Sequence, residues 1–158
     1  DVYKRQDHAG VAGEGEGVDL MSKPILCLDF DGVIHSYKSG WVQADFIPDP
    51  PVAGAFQFMH SALEHFRVVI SSSRSKETGA IRMMQIWTEY WARLELSNEE
   101  PDYAANAVIN AIAWNKEAWP TTKPAAFLTI DDRALRFTGM WPEFDPKELL
   151  NFKPWYKQ

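Results

Sequence analysis

Three short apolar runs, each stopping abruptly at acidic or hydroxyl residues, constrain this chain more than any other feature. Pro24-Ile25-Leu26-Cys27-Leu28 stops at Asp29, Arg67-Val68-Val69-Ile70 stops at Ser71-Ser72-Ser73, and Ala125-Ala126-Phe127-Leu128-Thr129-Ile130 stops at Asp131-Asp132. Continuous apolar runs without polar alternation read as strands covered on both faces, as in a parallel sheet. Helical spacing fills the intervals. Residues 53–66 place Ala55, Phe56, Met59, Leu63 and Phe66 on one face, with Pro51 suited to the first turn. Residues 78–96 repeat Ile81, Met84, Trp87 or Ile86, Trp91 and Leu94. Residues 103–119 repeat Ala107, Val108, Ala111, Ile112 and Trp114, although part of that stretch also reads as a strand. Asp145-Pro146 is an N-cap followed by proline at the first helical position. Gly40, Pro48, Pro50 and Pro51 make residues 37–51 a loop or small flap, and polar residues 97–102 a linker. Strand, helix, strand, helix, helix, strand, helix implies an open, mostly parallel α/β sheet. Such sheets bind ligands at the carboxyl ends of their strands, where the polar residues lie.

The chain has 158 residues, enough for one domain with a sizeable core, expected over 21–158. It contains no apolar run long enough to span a bilayer and no secretory h-region, so no membrane partner is expected. A single cysteine, Cys27, excludes an intrachain disulfide and fits a reducing, cytoplasmic location; it reads as a buried strand residue. A formal net charge of −6 argues against broad nonspecific nucleic-acid binding, but not against an anionic substrate held through a cation. Residues 1–20 are glycine-rich and aperiodic, and disorder is expected there. Asp1-Val2-Tyr3-Lys4-Arg5-Gln6 back-translates to a sequence resembling a transposon-end adapter, so residues 1–6 are expected to be read-through and Met21 the natural start.

The strand ends gather the chemistry. Asp29 and Asp31 follow the first run, Ser72 and Arg74 the second, and Asp131 and Asp132 the third, with Lys123 just before it. Four carboxylates on one sheet edge repel unless a cation joins them. All-oxygen ligation of this kind suits Mg²⁺, which also binds substrate phosphate. Arg74 and Lys123 supply positive charge for remaining phosphate oxygens, Arg as a fork and Lys as a point charge.

The ordered set Asp29-Phe30-Asp31-Gly32-Val33, Ser72 with Arg74, Lys123, and Asp131-Asp132 resembles the four motifs of the haloacid dehalogenase-like (HAD) superfamily. From Lys23 to about Trp155 the chain is similar to small HAD-type hydrolases of phage and prophage genes. The resemblance implies a Rossmannoid three-layer α/β/α fold without a large cap, and a hydrolase acting on phosphoric esters. Asp29 would be the nucleophile and form an aspartyl-phosphate. Asp31 would protonate the leaving group and later activate water. Ser72 would hydrogen-bond the phosphoryl group, with Ser73 and Arg74 in the substrate-binding segment, because Ser72-Ser73-Arg74 has the Ser-x-Arg form of members acting on polynucleotide ends. Lys123 would stabilise the phosphoryl charge. Mg²⁺ would be held by Asp29, the backbone carbonyl of Asp31, and Asp132 supported by Asp131.

Each element alone has a plainer reading: Asp31-Gly32 as a turn, Asp131-Asp132 as a helix cap, the serines as a solvated loop, Lys123 as a surface lysine. His35 reads as a local structural histidine; His8, His60 and His65 lack metal-ligand spacing. Tyr37 and Trp41 read equally well as flap packing or as a platform for a substrate ring. Receiver domains share these residue types but not this order. Retention of both Asp29 and Asp31 argues against a HAD-like domain that only binds. The short stretch 32–52 leaves room for a flap, not a cap, which fits a bulky phosphorylated substrate such as a nucleotide or a nucleic-acid end, or a homo-oligomer that covers the site. A generic small-molecule phosphatase is close behind. A noncatalytic phosphate-binding or phage accessory protein is the alternative class.

Overall fold

In the computed structural model, which describes residues 22–97, 102–141 and 145–158, the first apolar run becomes the middle strand of the sheet. β1 (Ile25–Asp29) pairs in parallel with β2 (Arg67–Ser71) on one side and β3 (Leu128–Ile130) on the other, in the order β2-β1-β3. The helices are α1 (Ala55–Ala62), α2 (Ala80–Leu96), α3 (Tyr103–Val108) and α4 (Pro146–Leu149). The chain is thus α/β with a small parallel sheet. None of the described helices is long and apolar enough to cross a membrane. The expectations for residues 1–20 and for the Met21 start lie outside the described residues, as do 98–101 of the linker.

Alternation along the strands decides where the core sits. Leu26, Leu28, Val68 and Ile70 share one face and join Phe30, Phe56, Met59, Met84, Trp87, Val108 and Ile112 in one buried cluster. Cys27 and Val69 point the other way and are also buried, so β1 and β2 are covered on both faces, as their unbroken apolar runs require. β3 differs. It has only three residues, begins later than the apolar run suggests, and leaves Leu128 and Ile130 partly open.

The helices differ from the sequence expectation at their ends and faces. Pro51 is not in the first turn of α1; it bridges to His35, and Gly54 opens the helix instead. α2 buries Ala80, Met84, Trp87, Thr88 and Ala92, so Trp87 rather than Ile86 is the core residue, and Leu94 faces outward. Residues 103–119 contain no strand: α3 runs into a wide helical turn at Ile109–Ala113 and a tight one at Lys116–Ala118. α4 forms as its cap predicts, Asp145 Oδ1 accepting from the Lys147 amide at 3.0 Å.

The strand order creates the site. The chain leaves β1 toward β2 and must cross back to reach β3, so the loops after β1 and β3 diverge and open a crevice. The face assignment on α2 has a direct check. Met84→Ala, at a fully buried position, is expected to lower unfolding free energy by about 2–5 kcal/mol. Leu94→Ala is expected to stay within about 0.5 kcal/mol of the parent. Urea denaturation of the two variants measures both.

Candidate functional site

Asp29 is the last residue of β1, paired in register with Ser71, and Asp131 and Asp132 directly follow β3. Two neighbouring parallel strands therefore deliver three carboxylates to one edge. An oxygen from each of Asp29, Asp131 and Asp132 lies within 4.8 Å of the others. Local bonds orient two of them: Asp29 Oδ1 accepts from the Phe30 amide at 2.8 Å, and Asp131 Oδ1 from the Arg133 amide at 2.8 Å. Asp132 has no such bond. Its side chain is 2 % exposed, both oxygens lack a hydrogen-bond partner, and Arg133 Nε comes only to 3.8 Å.

A buried carboxylate without donors is costly, and a second one beside it doubles the difficulty. In the metal-free chain these surroundings favour the protonated form of Asp29. Burial, and then the neighbouring Asp132 carboxylate, push Asp29 up to about 8, against only a small opposing pull from the Phe30 amide. A divalent cation would do the same work better. The donors are all oxygens, and an orphaned oxygen of Asp132 lies within 4.8 Å of one from each of the other two, so the residues fit a hard cation such as Mg²⁺.

Asp31 stands apart from this cluster. Its Oδ2 accepts from Arg74 Nε at 2.7 Å and its Oδ1 meets His35 Nδ1 at 2.8 Å. The Asp49 amide donates to His35 Nε2 at 3.2 Å, which makes Nε2 the acceptor and puts the ring proton on Nδ1, facing Asp31. His35, expected as a local structural residue, is the second grip on Asp31. Its spacing, four residues after Asp31 on a tight turn closed onto the Phe30 carbonyl, is the signal that could have found it.

Arg74, expected at the substrate phosphate, has no exposed surface. Beyond Asp31, its Nη1 donates to the carbonyls of Gln43, Ala44 and Phe46 at 2.8, 3.0 and 3.2 Å, and the Trp41 ring lies 4.7 Å from the guanidinium carbon. Nη2 alone lacks a partner. Arg74 is thus the latch that closes the flap onto the sheet edge. From the opposite side, Trp87 Nε1 donates to the Asp49 carbonyl at 3.1 Å. Burial works against ionisation of Asp49, but hydrogen bonds from the Ser39 hydroxyl and amide, at 2.6 and 2.8 Å, leave its carboxyl below the ordinary range.

Ser72 is buried and caps the turn that carries Arg74, its Oγ accepting from the Arg74 amide at 3.2 Å; Ser73 is exposed. Lys123 is exposed on the connection before β3 and forms no ion pair with the carboxylates among the described residues. Gly32 was invisible as a site residue. At φ +81° it occupies the left-handed region, and a Cβ there would fall 2.5 Å from Asp132 Oδ2 and 2.6 Å from the Tyr156 ring. Comparison of the chain with family models, curated proteins and solved structures found no match.

Two outcomes test this geometry. Unfolded, the Asp29 carboxyl loses its proton near its ordinary value of 3.8; folded, it keeps the proton to about 8. The folded state therefore binds more protons across that window, and this contribution to stability is lost as pH rises through it. The melting temperature of metal-free protein is expected to fall from pH 5 to pH 8, Mg²⁺ to restore more of it at pH 8 than at pH 6, and Asp29→Asn to flatten both trends. Separately, Arg74→Met strands Asp31 and three flap carbonyls, and is expected to cost roughly 3–5 kcal/mol by urea denaturation. A surface phosphate ligand would show no such loss.

Proposed function

We propose that this chain is a Mg²⁺-dependent phosphomonoesterase of the HAD type, with a three-layer Rossmannoid core and Asp29 as nucleophile. The observation that carries the reading is Asp132: a buried carboxylate with no donor, within reach of Asp29 and Asp131 at the carboxyl edge of adjacent parallel strands. Such a group is expensive unless a cation belongs beside it. Asp29, Asp131 and Asp132 would hold the ion, with the backbone carbonyl of Asp31 as a further donor. The bound ion supplies the positive charge that lets one anion approach another.

The chain's own residues divide the rest. An Asp29 oxygen attacks phosphorus, the ester oxygen leaves with a proton from Asp31, and an aspartyl-phosphate remains. Asp31 then takes a proton from water, which attacks phosphorus and frees inorganic phosphate and Asp29. Arg74 and His35 hold Asp31 in a single orientation by gripping one oxygen each. The Ser72 hydroxyl accepts from the Arg74 amide and keeps its own hydrogen for a phosphoryl oxygen. With Arg74 enclosed, Lys123 would supply positive charge to the transferring group. The small flap in place of a cap leaves the crevice open, which supports a nucleotide or a nucleic-acid 3′ or 5′ end as substrate.

A second reading has its own observation. Both Asp31 oxygens are already bonded and Lys123 is unpaired with the cluster, which favours a noncatalytic phosphate-binding or phage accessory protein. Turnover separates the two. The enzyme is expected to hydrolyse p-nitrophenyl phosphate with Mg²⁺, to stop with EDTA and with Asp29→Asn, and to slow about 10²- to 10⁴-fold with Asp31→Asn. Lys123→Ala is expected to slow turnover without moving the denaturation midpoint. Faster hydrolysis of a 3′-phosphorylated oligonucleotide than of sugar phosphates would support the nucleic-acid substrate. An intact, metal-bound protein inert across a broad ester panel would sink the enzymatic reading.

A further inference from the structure

No well-formed hydrogen bond fixes Asp132, so the groups packed around it set its position. What packs there comes from far along the chain. Trp155 Nε1 donates to the Gly32 carbonyl at 2.7 Å, across 123 positions of sequence. Tyr156 follows immediately, and its ring meets Asp132 at the one place where Gly32 has no side chain. The Tyr156 hydroxyl accepts from Arg133 Nη2 at 3.1 Å, and its ring stands edge-on to Tyr37 at 5.6 Å. The tight turn Trp155–Lys157 is closed by the Lys157 amide on the Pro154 carbonyl, at 3.0 Å. Neither Trp155 nor Tyr156 belongs to the hydrophobic core. Their bonds go to the two loops that carry the carboxylates.

We propose that Trp155 and Tyr156 are positioning residues, a hook that fixes the distance between the Asp29 loop and Asp132 and so sets the affinity of the site for a divalent cation. The inference rests on the metal reading of the carboxylate cluster. The indole bond fixes the Gly32 turn, which follows Asp29 and Asp31. The tyrosine ring closes one side of Asp132, and its hydroxyl ties down Arg133, the next residue. Remove the hook and the carboxylates repel without restraint, so the ion has to gather ligands that are no longer preorganised.

Isothermal titration calorimetry of the full chain with Mg²⁺, and with Mn²⁺ as a second probe, tests this without reference to catalysis. Trp155→Phe keeps the ring and loses the N–H, and is expected to weaken cation affinity about tenfold or more. The metal-free melting temperature should hold, and saturating Mg²⁺ should restore any activity. Trp114→Phe, which removes an indole bonded to Glu89 away from the crevice, should bind the ion as the parent does. Should Trp155→Phe melt below the assay temperature, Tyr156→Ala carries the same test. Parental affinity in Trp155→Phe and Tyr156→Ala would overturn the hook alone. A parent chain that binds no divalent cation would overturn the metal reading and the hook together.

Discussion

Arg74 is a cation with no exposed surface, and a buried cation must be paired and hydrogen-bonded or it unfolds what surrounds it. Here the requirement is met by parts that nothing else would bring together. One nitrogen takes Asp31 from the loop after β1, another takes three carbonyls from the flap, and the residue itself stands on the turn after β2. The flap has no helix or strand of its own, so its shape is borrowed from this guanidinium. His35 and Trp87 complete the arrangement by gripping Asp49, which anchors the far end of the flap. A single side chain thus converts an irregular segment into a wall of the crevice.

The second constraint is repulsive. Adjacent parallel strands bring Asp29 and Asp131-Asp132 together, and the rigidity of what carries these carboxyl groups keeps them close. β1 supplies that rigidity as the middle strand, covered on both faces. β3 cannot, being short and open along its outer edge. The asymmetry explains why the loop after β3 leans on Gly32 and on the Trp155–Tyr156 turn.

The sheet was largely legible in the sequence because continuous apolar runs and their acidic stops are local signals. So were Asp29, Asp131 and Asp132 as neighbours, since parallel strands bring their carboxyl ends to one edge. The errors have physical causes. Leu94 fits an apolar repeat but lies off the face that Met84, Thr88 and Ala92 bury, while Leu96 in the same last turn still packs on the core. β3 came out shorter than its apolar run because it pairs with β1 over only three residues, Leu26 to Leu28 facing Leu128 to Ile130. Arg74 was expected at the phosphate for its forked charge and the Ser72-Ser73-Arg74 form; Asp31 and three flap carbonyls from residues 43–46 take its nitrogens instead, and no spacing announces those carbonyls. Gly32, Trp155 and Tyr156 could not be assigned because their partners are set by the folded geometry, not by spacing.

Cys27 gives the central strand a further property. It is the one cysteine of the chain, sits midway along β1 with no exposed surface, and burial raises its thiol above the ordinary value despite the nearby charge of Lys123. A thiol reagent needs both access and the thiolate. Labelling can therefore proceed only when β1 parts from its surroundings, and its rate reads the opening free energy of that strand. The protein carries its own clock for the element that ends in Asp29, and no label has to be engineered to start it.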